Sequence, residues 1–549
     1  MTDTSFVNIA AHLPAMAQRH PETSAIMVPG RRGFQQLTYR QLNEECDRLA
    51  HGLETIGIGR GMRTVLMTPP SPEFFALTFA LFKIGAIPVM IDPGMGLGNL
   101  GQCLAEAKPE AFIGVSKAHF ARLLFGWARK SNRINVTVGR RFFWGGYTLN
   151  QVRRLRASGS VFEPAPTNAD DTAAILFTSG STGPPKGAAY TRGIFAAQVE
   201  LLQKTYGIQP GEIDLPTFPL FALFAPALGM SAVIPDMDFT RPGQVDPRKI
   251  ISAIQDFRVT NLFGSPALID RVGRYGETHH VRLPTLRRVI SAGAPVSAET
   301  IQRFAGLLAP GVQVFTPYGA TEALPVSSIG SDEILGETKD KTAQAAGVCV
   351  GRPVEGMTVR IIRISDEPIP NWSDDLLLPA GEVGEIVLDG PVVTKEYFNR
   401  PQSTALAKIL DPDNGRIIHR MGDLGYLDEH GRVWFCGRKS QRVITPSGTL
   451  FTIPCEAVFN QHPRVYRSAL VGVSKNGTTH PVLCVEVEKN SKDIDLESLK
   501  REILKLGAQR THTRGIRTVL FHPRFPVDIR HNAKIFREKL AKWAAKQLA

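Results

Sequence analysis

The stretch ILFTSGSTGPPKG, Ile175 to Gly187, sets the reading of everything on either side of it. The apolar run from Ala173 to Phe177 has the composition of a buried strand. It breaks at Thr178, Ser179, Gly180, Ser181, Thr182 and Gly183. Glycines let an anion come close to the backbone, and turned backbone amides form a concave nest for it. The hydroxyls of the segment add donors, and Lys186 adds a mobile positive charge. A flexible Gly/Ser surface turn is the plain alternative. The strand before the segment and Pro-Pro-Lys-Gly after it favour a loop that holds a polyphosphate. A Walker A loop is excluded, because it requires Gly-Lys-Ser/Thr and here Pro185 precedes Lys186.

Upstream, Phe6 to Gln18 predicts an amphipathic helix, and a second helix starts at Leu37 and reaches about Ile56. Thr64–Met67 and Pro88–Ile91 predict short strands flanking a helix over Glu73–Lys83. Strands alternating with helices indicate an α/β domain with a largely parallel sheet. Downstream, VTNLFGSP (Val259–Pro266) and VISAGAPV (Val289–Val296) read as strand-to-turn junctions, and ligands of open α/β sheets bind outside the carboxyl ends of strands. In VFTPYGATEA, Val314 to Ala323, a strand runs into a turn rich in chemistry. Tyr318 can stack on a base, Gly319 permits close approach, and Thr321 can bond a phosphate oxygen. Glu322 can hold Mg²⁺, which commonly takes one or two carboxylates plus substrate phosphates. Lys339–Gly347 and Ser365–Asp375 read as exposed loops, and a smaller β-rich region opens at Gly381.

Composition sets outer bounds. A chain of 549 residues is too long for one core. Its net charge of +13 suits polyanionic ligands, nucleic acid or acidic membrane surfaces without selecting among them. The basic residues concentrate in one place. Arg129 to Arg156 carries Arg129, Lys130, Arg133, Arg140, Arg141, Arg153, Arg154 and Arg156, no acidic residue, and the aromatics Phe142, Phe143, Trp144 and Tyr147. Such a stretch can meet a membrane surface or an acidic partner, or be a solvated face. No nucleic-acid motif accompanies it, so no nucleic acid is expected. The six cysteines have no CxxC spacing, which argues against zinc and redox motifs and for reduced thiols in the cytoplasm. The N-terminus does not read as a secretory signal. Phe74–Phe82 and Phe218–Pro235 are apolar but short or broken by Pro and Gly, so both are expected to be buried core rather than membrane spans.

In order along the chain, ILFTSGSTGPPKG, VISAGAPV, VFTPYGATEA, RMGDLGYLD, WFCGRKS and FPVDIRHNAKIFR resemble the motifs of the adenylate-forming superfamily of acyl-CoA synthetases, luciferases and nonribosomal adenylation domains. The resemblance covers the whole chain. It implies an α/β fold, with a large N-terminal domain of α/β subdomains plus a β-rich subdomain (1–438) and a small mobile α+β C-terminal lid (439–549). It implies ATP and Mg²⁺, and a reaction of a carboxylate with ATP to an acyl-adenylate and pyrophosphate, followed by attack of a nucleophile. By the resemblance, residues 178–183 and Lys186 hold phosphates, and Gly293, Ala294 and Pro295 contact adenine. Tyr318, Gly319, Ala320, Thr321 and Glu322 bind base, phosphate and metal. Asp423 and Arg438 hold the ribose, and Lys534 is the catalytic lysine of the small domain. Thr178, Lys186 and Glu322 join Lys534 in the expected catalytic set.

Several positions depart from common acyl-CoA synthetases: Arg192, Ala222, Ala292, Met421, Ser440 and the ending VDIRHNAKIFR. Together with TPPSPEFFALTFALFKIGAIPVMIDPGMG they resemble the β-lactone synthetases of bacterial long-chain olefin biosynthesis. That family acts on 2-alkyl-3-hydroxyalkanoic acids, and the substrate's own hydroxyl closes the ring. The resemblance therefore implies a long-chain 3-hydroxy acid substrate and assembly with other olefin-pathway enzymes. A long-chain acyl-CoA or acyl-AMP ligase and a non-catalytic scaffold in a lipid-modifying assembly are the other readings. His419 and His531 are expected to be structural.

Overall fold

The computed structural model describes residues 7–30, 33–155, 160–178, 184–218, 220–488, 495–527 and 535–549. Among these, two α/β sheets carry most of the chain. The first runs, edge to edge, through Tyr147–Thr148, Ile134–Val138, Ala111–Val115, Arg63–Met67, Ile87–Ile91, Thr172–Thr178 and Lys186–Thr191. All its pairings are parallel except the last, where Thr172–Thr178 turns back on Lys186–Thr191 as an antiparallel hairpin. The second sheet has a parallel centre, Ser231–Val233, Ile213–Pro216, Asn261–Gly264, Arg288–Ser291 and Val314–Ala320. Antiparallel strands close it at both ends. Its outer strand pair, Ser24–Gly30 and Gly33–Thr38, comes from the start of the chain.

The helix Pro72–Ile84 explains how the two sheets share a core. Ser71 caps it by accepting from the Phe74 amide, Pro72 stands in the first turn where no N–H is missed, and Gly85 ends it at φ +78. Its sequence is apolar on every side, and every residue from Phe74 to Ile84 is buried. One of those residues is Lys83. Its ammonium donates to the Asp47 carboxylate and, at 2.8 Å, to Asn43 Oδ1. Arg192, at the start of the helix Arg192–Tyr206, is also buried. Its guanidinium reaches the carbonyls of Phe82 (3.5 Å) and Ala86 (3.3 Å). That departure from the superfamily pattern therefore ties two helices together. Breaking a buried ion pair by removing one partner strands the other charge. Asp47→Ala is accordingly expected to cost about 3 kcal/mol of stability, read from the guanidinium denaturation midpoint. A loss below about 1 kcal/mol would show that the pair is not a structural tie.

A six-stranded antiparallel sheet follows, built on Thr358–Ile362, Gly384–Asp389, Ile417–Leu427 and Val433–Arg438. The last part of the chain forms a small α+β unit. Its three strands Val465–Lys475, Thr478–Val487 and Thr518–Phe521 are packed by the helices Thr452–Phe459, Leu496–Ala508 and Arg537–Gln547. Between the two, Lys439 bonds Glu385 at 2.9 Å and Arg442 bonds Asp366 at 2.5 Å, on either side of Ser440.

The expectation of a loop over Lys339–Gly347 is overturned, because Lys339–Ala343 is helical. The segment lacks an apolar stripe of its own. It continues a helical run begun at Ser331, and Lys341 bonds Glu337 one turn back at 3.1 Å. The apolar segments are largely buried as expected, except that Phe218, at the start of Phe218–Pro235, is exposed, and Pro219 lies outside the described residues. Phe74–Phe82 is wholly buried, and no helix among the described residues is long and apolar enough to cross a membrane.

Candidate active site

Two hairpins meet at the site. In the first, Thr178 lies across from Lys186. The connecting residues Ser179, Gly180, Ser181, Thr182 and Gly183 lie outside the described residues, as do the Thr178 side chain and Lys534. In the second, the strands Val314–Ala320 and Ala323–Gly330 are joined by the two-residue turn Thr321–Glu322, with Ala320 paired to Ala323. This hairpin explains Gly319 without a ligand. A Cβ there would sit 2.7 Å from the Ala323 carbonyl oxygen and 2.8 Å from Leu324.

A segment that the sequence reading passed over joins the two hairpins. Residues 396–398 lie along Lys186–Thr191: the Phe398 amide donates to Gly187 O at 2.7 Å, and Ala188 bridges to Tyr397. This places Tyr397 between the side chains of Lys186 and Glu322. Its hydroxyl donates to Glu322 Oε1 at 2.7 Å, and Lys186 Nζ stands 4.9 Å from its ring centroid. Thr394 fixes the turn from behind, with its amide and its hydroxyl donating to Glu322 O at 2.9 and 3.1 Å. Lys408, buried, donates in turn to the Thr394 carbonyl and to its hydroxyl. Burial lowers the Lys408 ammonium to about 7, against the opposing pull of Glu322. His419 pairs with Lys408 across the sheet. Burial, with Lys408 nearby, holds its imidazole well below its usual value, and its Nδ1 lies 3.1 Å from Ala407 O.

The third group of residues lies where the strands Ile417–Leu427 and Val433–Arg438 pair Asp423 with Arg438. Tyr318 OH donates to Asp423 Oδ2 at 2.7 Å, and Arg438 Nη1 lies 2.8 Å from Oδ1. Burial raises the Asp423 carboxyl, while Arg438 and the Tyr318 hydroxyl act to lower it. A carboxylate offers about four lone-pair sites, so two donors leave capacity for a vicinal diol. Gly293, Ala294 and Pro295 follow the strand Arg288–Ser291, with Gly293 at φ +102, a conformation that favours glycine.

Ala292 and Pro317, each just ahead of one of these motifs, line an apolar cavity of about 60 Å³ with Phe221, Phe224, Leu228 and Phe263. Space for a few waters does not admit a pair of long alkyl chains, so chains of that size require these side chains to move. Ala222 is fully buried. One carboxyl faces the cavity: Asp214, bonded by the Asn261 side-chain amide and raised by burial to about 7. The unfolded chain ionises this group near 3.8, so between the two values the folded state binds a proton that the unfolded state lacks. Stability from Asp214 is therefore present below that window and falls as pH rises through it, by up to about 1.4 kcal/mol per unit. Asp214→Asn is expected to flatten the loss of thermal stability between about pH 4 and about pH 7. An unchanged profile would remove Asp214 as its source.

The structure thus brings together Lys186, Tyr397 and Glu322 in one cluster and Tyr318, Asp423 and Arg438 in another. Glu322 Oε1 accepts from the Tyr397 hydroxyl, and among the described residues no group of three or more His, Cys, Asp or Glu that could hold a metal ion is found. That donor set fits a hard divalent cation completed by phosphate oxygens rather than a closed protein cage. Tyr397, Thr394 and Lys408 were missed in the sequence because they carry no motif of their own.

A model described as AMP-binding enzyme matches residues 13–398. An olefin beta-lactone synthetase of Stenotrophomonas maltophilia is 52% identical over 98% of this chain and 98% of its own length. One from Xanthomonas campestris is 50% identical over 99% and 98%. Among solved structures, an amide bond synthetase of Marinactinospora thermotolerans superposes with a TM-score of 0.79 at 23% identity, covering 98% of this chain and 99% of that one, a likeness of fold. The adenylate-forming architecture expected from the sequence is thereby established, and the chain belongs to the AMP-binding enzyme family.

Proposed function

We propose that this protein is an ATP-dependent β-lactone synthetase acting on long-chain 2-alkyl-3-hydroxyalkanoic acids. The observation that carries the reading is identity of 50–52% along essentially the whole length to relatives bearing that name. The two side-chain clusters support it. Residues 178–183 with Lys186 hold the phosphates, the turn at Gly293–Pro295 and the Tyr318 ring hold the base, and Asp423 with Arg438 holds the ribose. Glu322, with phosphate oxygens, would hold a magnesium ion, which would supply positive charge against the reacting phosphate. The substrate carboxylate oxygen bonds the α-phosphorus, and pyrophosphate leaves. The 3-hydroxyl oxygen then bonds the carboxyl carbon, the carbon–oxygen bond to AMP breaks, and the hydroxyl proton is released. The nucleophile is tethered to its target, so ring closure needs no second substrate. Lys534, carried by the lid 439–549, neutralises charge at the α-phosphate as the acyl group transfers. The lactone is then consumed by a decarboxylating partner enzyme.

The test is product analysis. The enzyme is incubated with ATP, Mg²⁺ and a long-chain 2-alkyl-3-hydroxy acid, with and without CoA, and products are identified by NMR. A β-lactone and AMP in equal amounts, indifferent to CoA, is the expected result. A thioester formed only with CoA would make the protein a ligase instead.

A further inference from the structure

We propose that the face formed by the helix Ser116–Leu124 and the loop 139–146 docks on an anionic lipid surface. Ala118 and Ala121 of the helix pack inward, but its larger side chains are reversed. His119 and Arg122 are its buried residues, whereas Phe120, Leu123 and Leu124 are exposed, at 55%, 42% and 66%. A helix placed against a core for solubility shows the reverse pattern. The inward polar groups are partly satisfied: His119 Nε2 lies 3.0 Å from Val136 O and the Arg122 guanidinium lies 5.7 Å from the Phe112 ring centroid, while His119 Nδ1 and Arg122 Nε are buried without a hydrogen-bond partner among the described residues.

The neighbouring loop extends it. Ser116 donates to Arg140 O, and Trp144 stacks on His119 with ring centroids 5.6 Å apart, its Nε1 bonding Thr137 Oγ1 at 2.9 Å. On this anchored base stand Phe142 and Phe143, the latter 79% exposed. Lys117, Arg129, Lys130, Arg133, Arg140 and Arg141 of the same stretch are all exposed, and the Arg140 guanidinium lies 5.0 Å from the Phe142 ring centroid. Between Glu110 and Glu163 the sequence has no acidic residue. Protein interfaces set register with complementary charges of both signs. A stretch whose exposed charges are all basic, with protruding phenylalanines and leucines, instead matches a bilayer, where rings enter the acyl boundary and basic groups meet phosphates. Arg156, the last basic residue of the stretch, lies outside the described residues. The docking rests on this surface alone and holds whichever acid the enzyme activates.

The experiment is flotation of the full chain with vesicles of phosphatidylcholine alone or in equal parts with phosphatidylglycerol. Three proteins are compared: wild type, Phe120→Ser/Phe143→Ser, and Lys130→Glu/Arg133→Glu. The changed side chains are exposed, so thermal midpoints should match wild type. Wild type is expected to float with the anionic vesicles only, and less so in high salt, while each double variant binds at least about tenfold more weakly. Failure of wild type to bind anionic vesicles, or binding by Phe120→Ser/Phe143→Ser equal to wild type, would overturn the proposal. So would a wild-type dimer that the phenylalanine variant dissolves, since the face would then belong to a second copy of the chain.

Discussion

Glu322→Gln is expected to lower kcat/KM by about a thousandfold at fixed magnesium and to move the magnesium dependence to higher concentration. Glutamine has the same shape, and its carbonyl oxygen can still accept the Tyr397 hydroxyl that now reaches Oε1 at 2.7 Å. The two bonds from Thr394 go to the backbone carbonyl of residue 322 and do not depend on the side chain. The turn should therefore keep its place, and the lost property is the negative charge. A carboxylate bound to a hard cation counts mainly as charge, and one electrostatic contact aimed at a reacting phosphate is worth a factor of about a hundred to a thousand. The measurement is initial rate against magnesium concentration for both proteins. A variant with the wild-type midpoint would show that Glu322 holds no metal.

Asp423→Ala is expected to act on nucleotide recognition and on stability together. The buried carboxylate now receives the Tyr318 hydroxyl and the Arg438 guanidinium. Its removal strands both, at a cost of about 3 kcal/mol. It also removes the acceptor assigned to the ribose hydroxyls. Hydrogen bonds to a charged group contribute about 1.5–3 kcal/mol each, so kcat/KM for ATP should fall by at least about a hundredfold. Comparing ATP with 2′-deoxy-ATP separates the two effects. Wild type should discriminate between them, and the variant should not. Equal discrimination in both proteins would mean that Asp423 is only a structural partner of Arg438.

The sequence disclosed the chemistry of the site better than its construction. Residues with a local signature stood out: the Gly/Ser segment after an apolar strand, of which 179–183 lie outside the described residues, and Tyr318 to Glu322 at the end of another strand. Tyr397, Thr394 and Lys408 could not. Tyr397 and Thr394 meet Glu322 across more than seventy positions of chain, Lys408 acts through Thr394, and no spacing or periodicity encodes such contacts. Lys408 in particular reads as an ordinary surface lysine until the strand pairing of Lys408–Leu410 with Ile417–Leu427 buries it. Sheet membership was hidden for the same reason. Alternating strands and helices announced parallel α/β layers, but the pairing of Ser24–Gly30 with Ser231–Val233 is set by packing, not by order along the chain. The helix Lys339–Ala343 was read as a loop because its stabilising partners include residues outside it. Glu337, which bonds Lys341, also receives Arg432 from the β-rich sheet at 2.9 Å.

The departures from common acyl-CoA synthetases now divide into two groups. Arg192 is a tie between helices. Met421 supplies a backbone carbonyl to Arg438 at 3.4 Å and is buried. Ala222 lies in the short turn Phe221–Phe224 beside the apolar cavity. Ala292, by contrast, lines that cavity directly.

The central claim is that the acid is activated at its carboxylate and that its own hydroxyl displaces AMP. The direct measurement uses a 3-hydroxy acid carrying a heavy oxygen isotope in the carboxyl group only, with mass spectrometry of the products. The account requires one labelled oxygen in AMP and the other in the lactone carbonyl, with unlabelled ring oxygen. Unlabelled AMP together with a labelled ring oxygen would mean that the hydroxyl, and not the carboxylate, had been activated, and would contradict it.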